Sequence, residues 1–352
     1  MKVETLQALI SRVTSKIKVN KFIPLTAFVG VKTREGKLVL VATDGSNYVS
    51  GSTETDMQDG VDISVDSDLF SKLISALAPE VNVELSVENN NLRIKNESID
   101  YTVPAISDDS GIIKYPEVTR PAEAQEFDLK KFSEAYNKVQ NSVDPQSLVP
   151  YMSAVYVSDV MLGTNNYLLA KSNCGNLFGQ PVLLPLPLCE NIMQIVGDKA
   201  SYNISDGYLT VFTESTIVRG KLHEGINDYP VDAIKALFEN SVKNHASVNT
   251  GILTSAIGRV SLFISDFDDN GIKVSFGSDK MSISSVSRSG HEDVGYDSHE
   301  GEIAEKDVKC DVRLLTRFLK SFTAPAVNIS YTDTQIIGSK DDTEVILSLM
   351  ED

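Results

Sequence analysis

VDISVDSDLFSKLISALAPEVNVELSVENNNLRI, residues 61–94, reads as one strand, one helix and one hairpin, and the rest of the chain repeats it. Val61, Ile63 and Val65 alternate as a strand with one apolar face. Asp66, Ser67 and Asp68 supply caps for a helix carrying Leu69, Phe70, Leu73, Ile74 and Leu77, which Pro79 ends. Val81, Val83, Leu85 and Val87 alternate again, Asn89, Asn90 and Asn91 turn the chain, and Leu92 and Ile94 return as the second arm of a hairpin. A unit of this kind has a single apolar side and needs covering.

The helix spacing recurs at Leu188/Cys189, Ile192/Met193 and Val196, and again at Leu314/Leu315, Phe318/Leu319 and Phe322; each time a hairpin pattern follows. A second amphipathic helix precedes each of these. Its buried stripe is Leu6, Leu9, Ile10 and Val13, then Phe132, Ala135, Tyr136 and Val139, then Leu253, Ala256, Ile257 and Val260. Both landmarks give a period of about 120 residues, with strand-like runs between the paired helices. The expected fold is therefore α+β: three tandem domains, each with two helices packed on antiparallel sheets, over 1–122, 123–243 and 244–352. The junctions fall near 116–124 and between 229 and 248, where proline and polar residues break the pattern. Residues 233–242 read as an extra short helix in the second junction. Residues 291–307 hold seven acidic side chains and read as a solvated hairpin loop.

Composition narrows the function. The 352 residues carry 32 Lys+Arg against 49 Asp+Glu, a formal net charge of -17, which argues against a surface that is basic throughout. Residues 1–5 have no apolar leader region, and no stretch approaches the roughly 18 consecutive apolar residues of a membrane helix, so a soluble cytoplasmic protein is expected. Cys174, Cys189 and Cys310 are odd in number and lack CxxC spacing, which favours small core side chains over a disulfide or zinc site. His223, His245, His291 and His299 show no paired metal spacing. DFDDNG at 266–271 begins like a calcium loop, but Gly277 stands where the closing Glu belongs, so a simple turn is favoured. Neither GxxxxGK[ST] nor GxGxxG is present. No catalytic residue, metal or cofactor is expected, and the chain does not read as an enzyme.

Charge is segregated on the helical segments. Segments 5–18, 69–77, 130–143, 188–197, 250–261 and 312–322 carry Arg12, Lys16, Lys18, Lys72, Lys130, Lys131, Lys138, Arg259, Arg313, Arg317 and Lys320 against only Glu134 and Glu190. Helices favour Glu about as strongly as Lys and Arg, so the shortage of Glu calls for a partner. A helical surface that faces phosphates, on an otherwise acidic protein that repels them, supplies one.

With these residues in hand, the whole chain resembles the bacterial DNA sliding clamp, the beta subunit of the replicative DNA polymerase III holoenzyme, bacteriophage-encoded versions included. The likeness rests on the three-fold repeat, on LVLVATDG at 38–45, on Asn227-Asp228-Tyr229 and on the apolar VILSLM at 345–350. It implies a processivity factor: each chain is half of a closed homodimer ring that encircles double-stranded DNA without sequence specificity. The ring tethers the DNA polymerase, and an ATP-dependent clamp loader opens it; both bind through short hydrophobic peptides. Carried over by position, Arg12, Lys16, Lys18, Lys138, Arg259, Arg317 and Lys320 would face DNA. Met152, Leu177, Val345, Leu347 and Leu349, with Met350 at the rim, would line the partner-peptide cleft. Tyr101 and Val103 would meet Leu262 and Phe263 of a second copy head to tail. Two departures bear on partner preference: KSNCGNL at 171–177 replaces the relatives' TDGHRL run, and Leu347-Ser348-Leu349-Met350 replaces their Met-Pro-Met ending. The alternative is a non-enzymatic phage structural or assembly protein with duplicated domains, which would need no basic helical surface.

Overall fold

The computed structural model describes residues 1–108, 111–112, 115, 117–239, 244–265, 269–286 and 290–350. The first repeat runs α1 (Val3–Thr14), β1 (Phe28–Arg34), β2 (Lys37–Thr43), β3 (Asn47–Glu54), β4 (Asp62–Asp66), α2 (Ser67–Ser75), β5 (Glu84–Glu88), β6 (Asn91–Lys95) and β7 (Asp100–Pro104), with a two-residue pair β8 (Ser107–Asp108) and β9 (Gly111–Ile112) after it. The second runs β10 (Gln125–Asp128), α3 (Leu129–Val139), β11 (Ala154–Val157), β12 (Val160–Thr164), β13 (Leu168–Asn173), β14 (Val182–Pro185), α4 (Leu186–Ile192), β15 (Lys199–Ser205), β16 (Tyr208–Phe212) and β17 (Thr216–Lys221). α5 (Val231–Glu239) follows. The third comprises β18 (His245–Asn249), α6 (Thr250–Ser261), β19 (Gly271–Phe276), β20 (Lys280–Ser285), β21 (His291–Gly295), β22 (Ser298–Glu300), β23 (Lys306–Asp311), α7 (Val312–Lys320), β24 (Ala326–Tyr331), β25 (Gln335–Lys340) and β26 (Thr343–Ser348).

One local device starts several of the helices: the last residue of the preceding strand caps the helix with its side chain. Asp66 accepts from the Leu69 amide at 2.7 Å, Asn249 from Ile252 at 3.0 Å, and Asp311 from Arg313 at 2.7 Å and Leu314 at 3.2 Å. Strand thus passes into helix without a loop. The β5–β6 turn places Asn89 and Asn90 at φ 50° and 63°, left-handed values that asparagine tolerates.

By its contacts the chain divides into two compact units, Met1–Lys130 with Pro187–Leu222, and Lys131–Leu186 with His223–Asp352. In the first, an eight-stranded sheet of order β10-β15-β16-β17-β3-β2-β1-β4 accompanies the three-stranded β5-β6-β7. Its core holds Leu6, Leu9, Ile10 and Val13 of α1 with Phe70 and Ile74 of α2. α1 lies so close to β3 that a Cβ on Gly51 would come within 2.9 Å of both Leu9 and Val13. In the second unit, a nine-stranded sheet of order β14-β11-β12-β13-β26-β25-β24-β18-β22 accompanies the four-stranded β21-β20-β19-β23. Each large sheet joins two repeats by one antiparallel seam: β17 to β3, with Val218 opposite Val49, and β13 to β26, with Ala170 opposite Val345.

Several sequence expectations change here. α1 ends at Thr14, so Lys16 and Lys18 lie on the loop beyond it. Leu69 is exposed while its neighbour Phe70 turns inward, and Val196 is exposed beyond the end of α4. Residues 291–307 are not a single loop: β21 pairs with β20, and β22 pairs with β18. Glu292, Asp293, Glu300 and Asp307 sit on strands, and Asp297, Glu302 and Glu305 on the links between them. The extra helix is α5, which begins at Val231; residues 240–243, and residues 266–268 of the turn weighed as a calcium loop, lie outside the described residues. The three cysteines are buried and free, as their small apolar character implied. Burial pushes the Cys174 and Cys310 thiols up to about 12.

Candidate nucleic-acid interface and partner cleft

The basic residues fall into two groups once their partners are known. Lys16, Lys18 and Lys320 are exposed. Arg12, on the last turn of α1, is half-buried and donates to the hydroxyls of Ser215 at 3.5 Å and Thr216 at 3.4 Å, at the β3–β17 seam. The others are occupied. Lys138 on α3 pairs with Asp342 at 2.6 Å, and the Ser172 hydroxyl donates to the same carboxylate at 3.3 Å. Burial alone would raise the Asp342 carboxyl; the Lys138 bond and charge outweigh it and hold the group below the ordinary carboxylate range. Arg259 on α6 forks onto Glu292 of β21, which is held below its usual value by that bond.

Arg317 departs furthest from a phosphate-facing role. Its Nε donates to the Asn141 carbonyl at 2.6 Å and its Nη2 to the Val143 carbonyl at 2.8 Å. It ties α7 to the end of the segment that follows α3, and its half-burial disfavours its charged form. Sequence could show the charge of Arg317 but not the two carbonyls that need it, because they lie in the preceding repeat. Reading along the helices also passed over Lys21 and Phe22, which are exposed on the loop after α1.

The apolar cluster of the second unit is centred on Ala154, Tyr156, Val160, Leu162, Leu169, Leu183, Tyr229, Ile234 and Ile346. Tyr151, Ile226, Val231, Phe238 and Ile337 are only partly buried against it and form its outer margin. The Tyr156 and Tyr229 rings stack at 4.9 Å and 24°, Tyr151 meets Tyr229 edge-on at 6.1 Å, and the Lys171 ammonium sits 4.7 Å above the Phe238 ring. The Tyr229 hydroxyl is buried with no hydrogen-bond partner, and burial raises its pKa.

The residues expected to line the cleft lie on both faces of β26 and beside it. Val345 and Leu347 are fully buried and belong to the opposite face of β26; it is Ile346 that joins the cluster. Ser348, half-buried, follows Ile346 at the two-residue strand period and ends β26; Met350 beyond it is half-buried and donates its amide to the Lys309 carbonyl at 2.9 Å. The run Val345-Ile346-Leu347 is apolar on both faces, so its pattern carried no sign of which face mattered. Met152 and Leu177 are buried, and Leu349 is half-buried with its amide donated to the Thr334 carbonyl at 2.9 Å.

Among the edge strands of the sheets are β7 in the three-stranded sheet and β21 in the four-stranded one. On β7, Tyr101 is exposed and Val103 is buried, so Val103 offers only its backbone. Beside β21, Phe263 packs on Gly290, where a Cβ would lie 2.8 Å from its ring, and Leu262 is 77 % exposed.

No family model matches the chain, and no curated protein does. Among solved structures, the DNA polymerase III beta subunit of Thermotoga maritima superimposes with a TM-score of 0.82 at 17% identity, over 100% of this chain and 98% of that one. The beta subunit of Borrelia burgdorferi, in complex with a natural product, gives 0.83 at 13%, over 100% and 97%. The Bacillus subtilis DNA polymerase sliding clamp gives 0.81 at 16%, over 100% and 98%. Over its whole length, the chain has the fold of the bacterial DNA polymerase III beta sliding clamps.

Proposed function

We propose that the protein is a DNA sliding clamp: two copies close head to tail around duplex DNA and tether a polymerase to its template. The observation that carries this reading is the rule by which the repeats join. β3, the third strand of the first repeat's leading sheet, pairs with β17, the closing strand of the second repeat; β13 pairs in the same way with β26 of the third. Continuing the rule, β21 requires a closing strand, and the only one unused among the described residues is β7. They belong to the first and third repeats of one chain, and a second copy would satisfy both edges by a two-fold, self-complementary exchange. Three repeats per chain then make six in a closed assembly.

Phosphate contacts are assigned to Lys16, Lys18, Lys320 and Arg12, with Lys138, Arg259 and Arg317 holding the fold. Such contacts position DNA without reading its sequence. The polymerase and an ATP-dependent loader would each insert a short apolar peptide at the cluster margin formed by Tyr151, Ile226, Phe238 and Ile337, where Tyr229 offers an unused hydroxyl. A cytoplasmic site of action fits this role, and no helix among the described residues is long and apolar enough to cross a membrane. Light scattering tests the closure: a dimer mass is expected, and Thr102→Pro in β7, which introduces a ring and removes an edge donor, should give the monomer mass with an unchanged far-ultraviolet spectrum. A monomer for the unaltered protein at micromolar concentration would overturn the reading.

A further inference from the structure

From Thr5 to Arg34 the chain contains no Asp or Glu, although acidic residues outnumber basic ones 49 to 32 overall. At the middle of that stretch, Phe22 is 94 % exposed on the loop after α1. Lys16, Lys18 and Lys21 on the same loop are exposed, and among the described residues none of them has a carboxylate partner. Val19 adds a second exposed apolar side chain beside them.

The loop is held firmly for so exposed a tip. The Thr26 hydroxyl is buried at its base, accepts from the Asn20 amide at 2.8 Å, and shares its proton between the carbonyls of Asn20 and Ile23. The Phe22 amide donates to the Asn20 side chain at 3.0 Å, and the Ile23 amide to the Asn20 carbonyl at 2.9 Å. The Ile23 side chain packs over Gly45, at φ 95°, where a Cβ would approach to 2.4 Å. Phe22 is therefore presented outward from an anchored turn, which lowers the entropy lost when a ligand covers it.

We infer that Phe22, on one loop with the exposed Lys16, Lys18 and Lys21, is a stacking site for an unpaired nucleobase, so that the loop holds single-stranded nucleic acid. A flat aromatic face amid unpaired ammonium groups matches such a strand, whose bases stack while its phosphates are neutralised. Duplex DNA hides its base faces and could use only the lysines. This inference goes beyond the clamp reading and stands without it, since a single chain suffices. The second repeat supplies a contrast: Leu148, as far beyond Phe132 as Phe22 is beyond Leu6, is 99 % exposed but has Asp144 nearby and no Lys or Arg between Val139 and Ala170.

The chain has no tryptophan, so Phe22→Trp installs a single reporter. Its emission should be quenched saturably by an oligothymidylate and left unchanged by a blunt duplex, and a Leu148→Trp reporter should respond to neither. Phe22→Ala should weaken binding of a labelled oligothymidylate roughly tenfold at constant melting temperature. Replacing Lys16, Lys18 and Lys21 by Ser should reduce the salt dependence of binding by up to about 0.7 per lysine in log–log slope. Emission of the Phe22→Trp protein that saturating oligonucleotide leaves unaffected would overturn the inference. So would equal quenching by duplex, equal quenching of the Leu148→Trp protein, or a blue shift on phosphatidylglycerol vesicles in place of the response to oligonucleotide.

Discussion

Arg317 shows how a charged residue on a helix can be structural. Its guanidinium satisfies two backbone carbonyls, and truncation would leave both short of a donor. Arg317→Leu should lower the unfolding free energy by about 1–3 kcal/mol in urea titrations, with little change in DNA retention measured below the transition. Lys320, three residues along the same helix and exposed, should behave in the opposite way: Lys320→Ser should alter retention and spare stability. Asp342 carries a pH signature. Its folded pKa lies below its unfolded value, so the Lys138 bond contributes stability above about pH 4 that is lost as pH falls through the lower folded value. The gap in urea midpoint between the unaltered protein and Asp342→Asn should be constant from neutral pH to about pH 5 and close as acid protonates the folded carboxyl. Tyr229→Phe removes a buried hydroxyl without a partner and should leave the free protein as stable or more stable by about 1 kcal/mol, while weakening a bound peptide. The sequence disclosed which residues are charged or aromatic. It did not disclose these partners, because Arg317 with Asn141 and Lys138 with Asp342 lie far apart along the chain.

At the scale of elements, periodicity read well wherever one face is wet. The α1, α3 and α6 stripes and the strand, helix and hairpin at residues 61–94 were legible, since alternation of apolar and polar residues reports burial directly. It failed on β26, where neighbouring residues are apolar on both faces, and on β21 and β22, where acidic strand residues imitate a loop. The two faces of β26 differ in a measurable way. Ser348→Asp, on the face shared with Ile346, and Met350→Asp, just beyond the strand, should each weaken a polymerase-derived apolar peptide at least roughly tenfold at unchanged melting temperature. Val345→Ala and Leu347→Ala, buried on the other face, should instead lower stability by about 1–4 kcal/mol and leave peptide affinity per folded molecule unchanged.

At the scale of the molecule, the repeats were visible in sequence but their joining was not. Strand pairing is a long-range property, and neither β3 nor β13 announces that its partner lies in the next repeat. The structure adds the rule that the leading sheets of the first two repeats are each completed by a closing strand of the next repeat, and the proposed closure extends that rule to β21 and β7. Encirclement is the central claim, and catenation tests it most directly. Cysteines placed at Thr102 on β7 and His291 on β21 can be joined across copies by a bismaleimide, because the chain's own three thiols are buried. Monomers mixed with a plasmid circle, concentrated, cross-linked and then denatured in detergent should remain with the closed circle and leave it once a restriction enzyme cuts the DNA. Release from the uncut circle by detergent, or equal retention on linear DNA, would contradict the account.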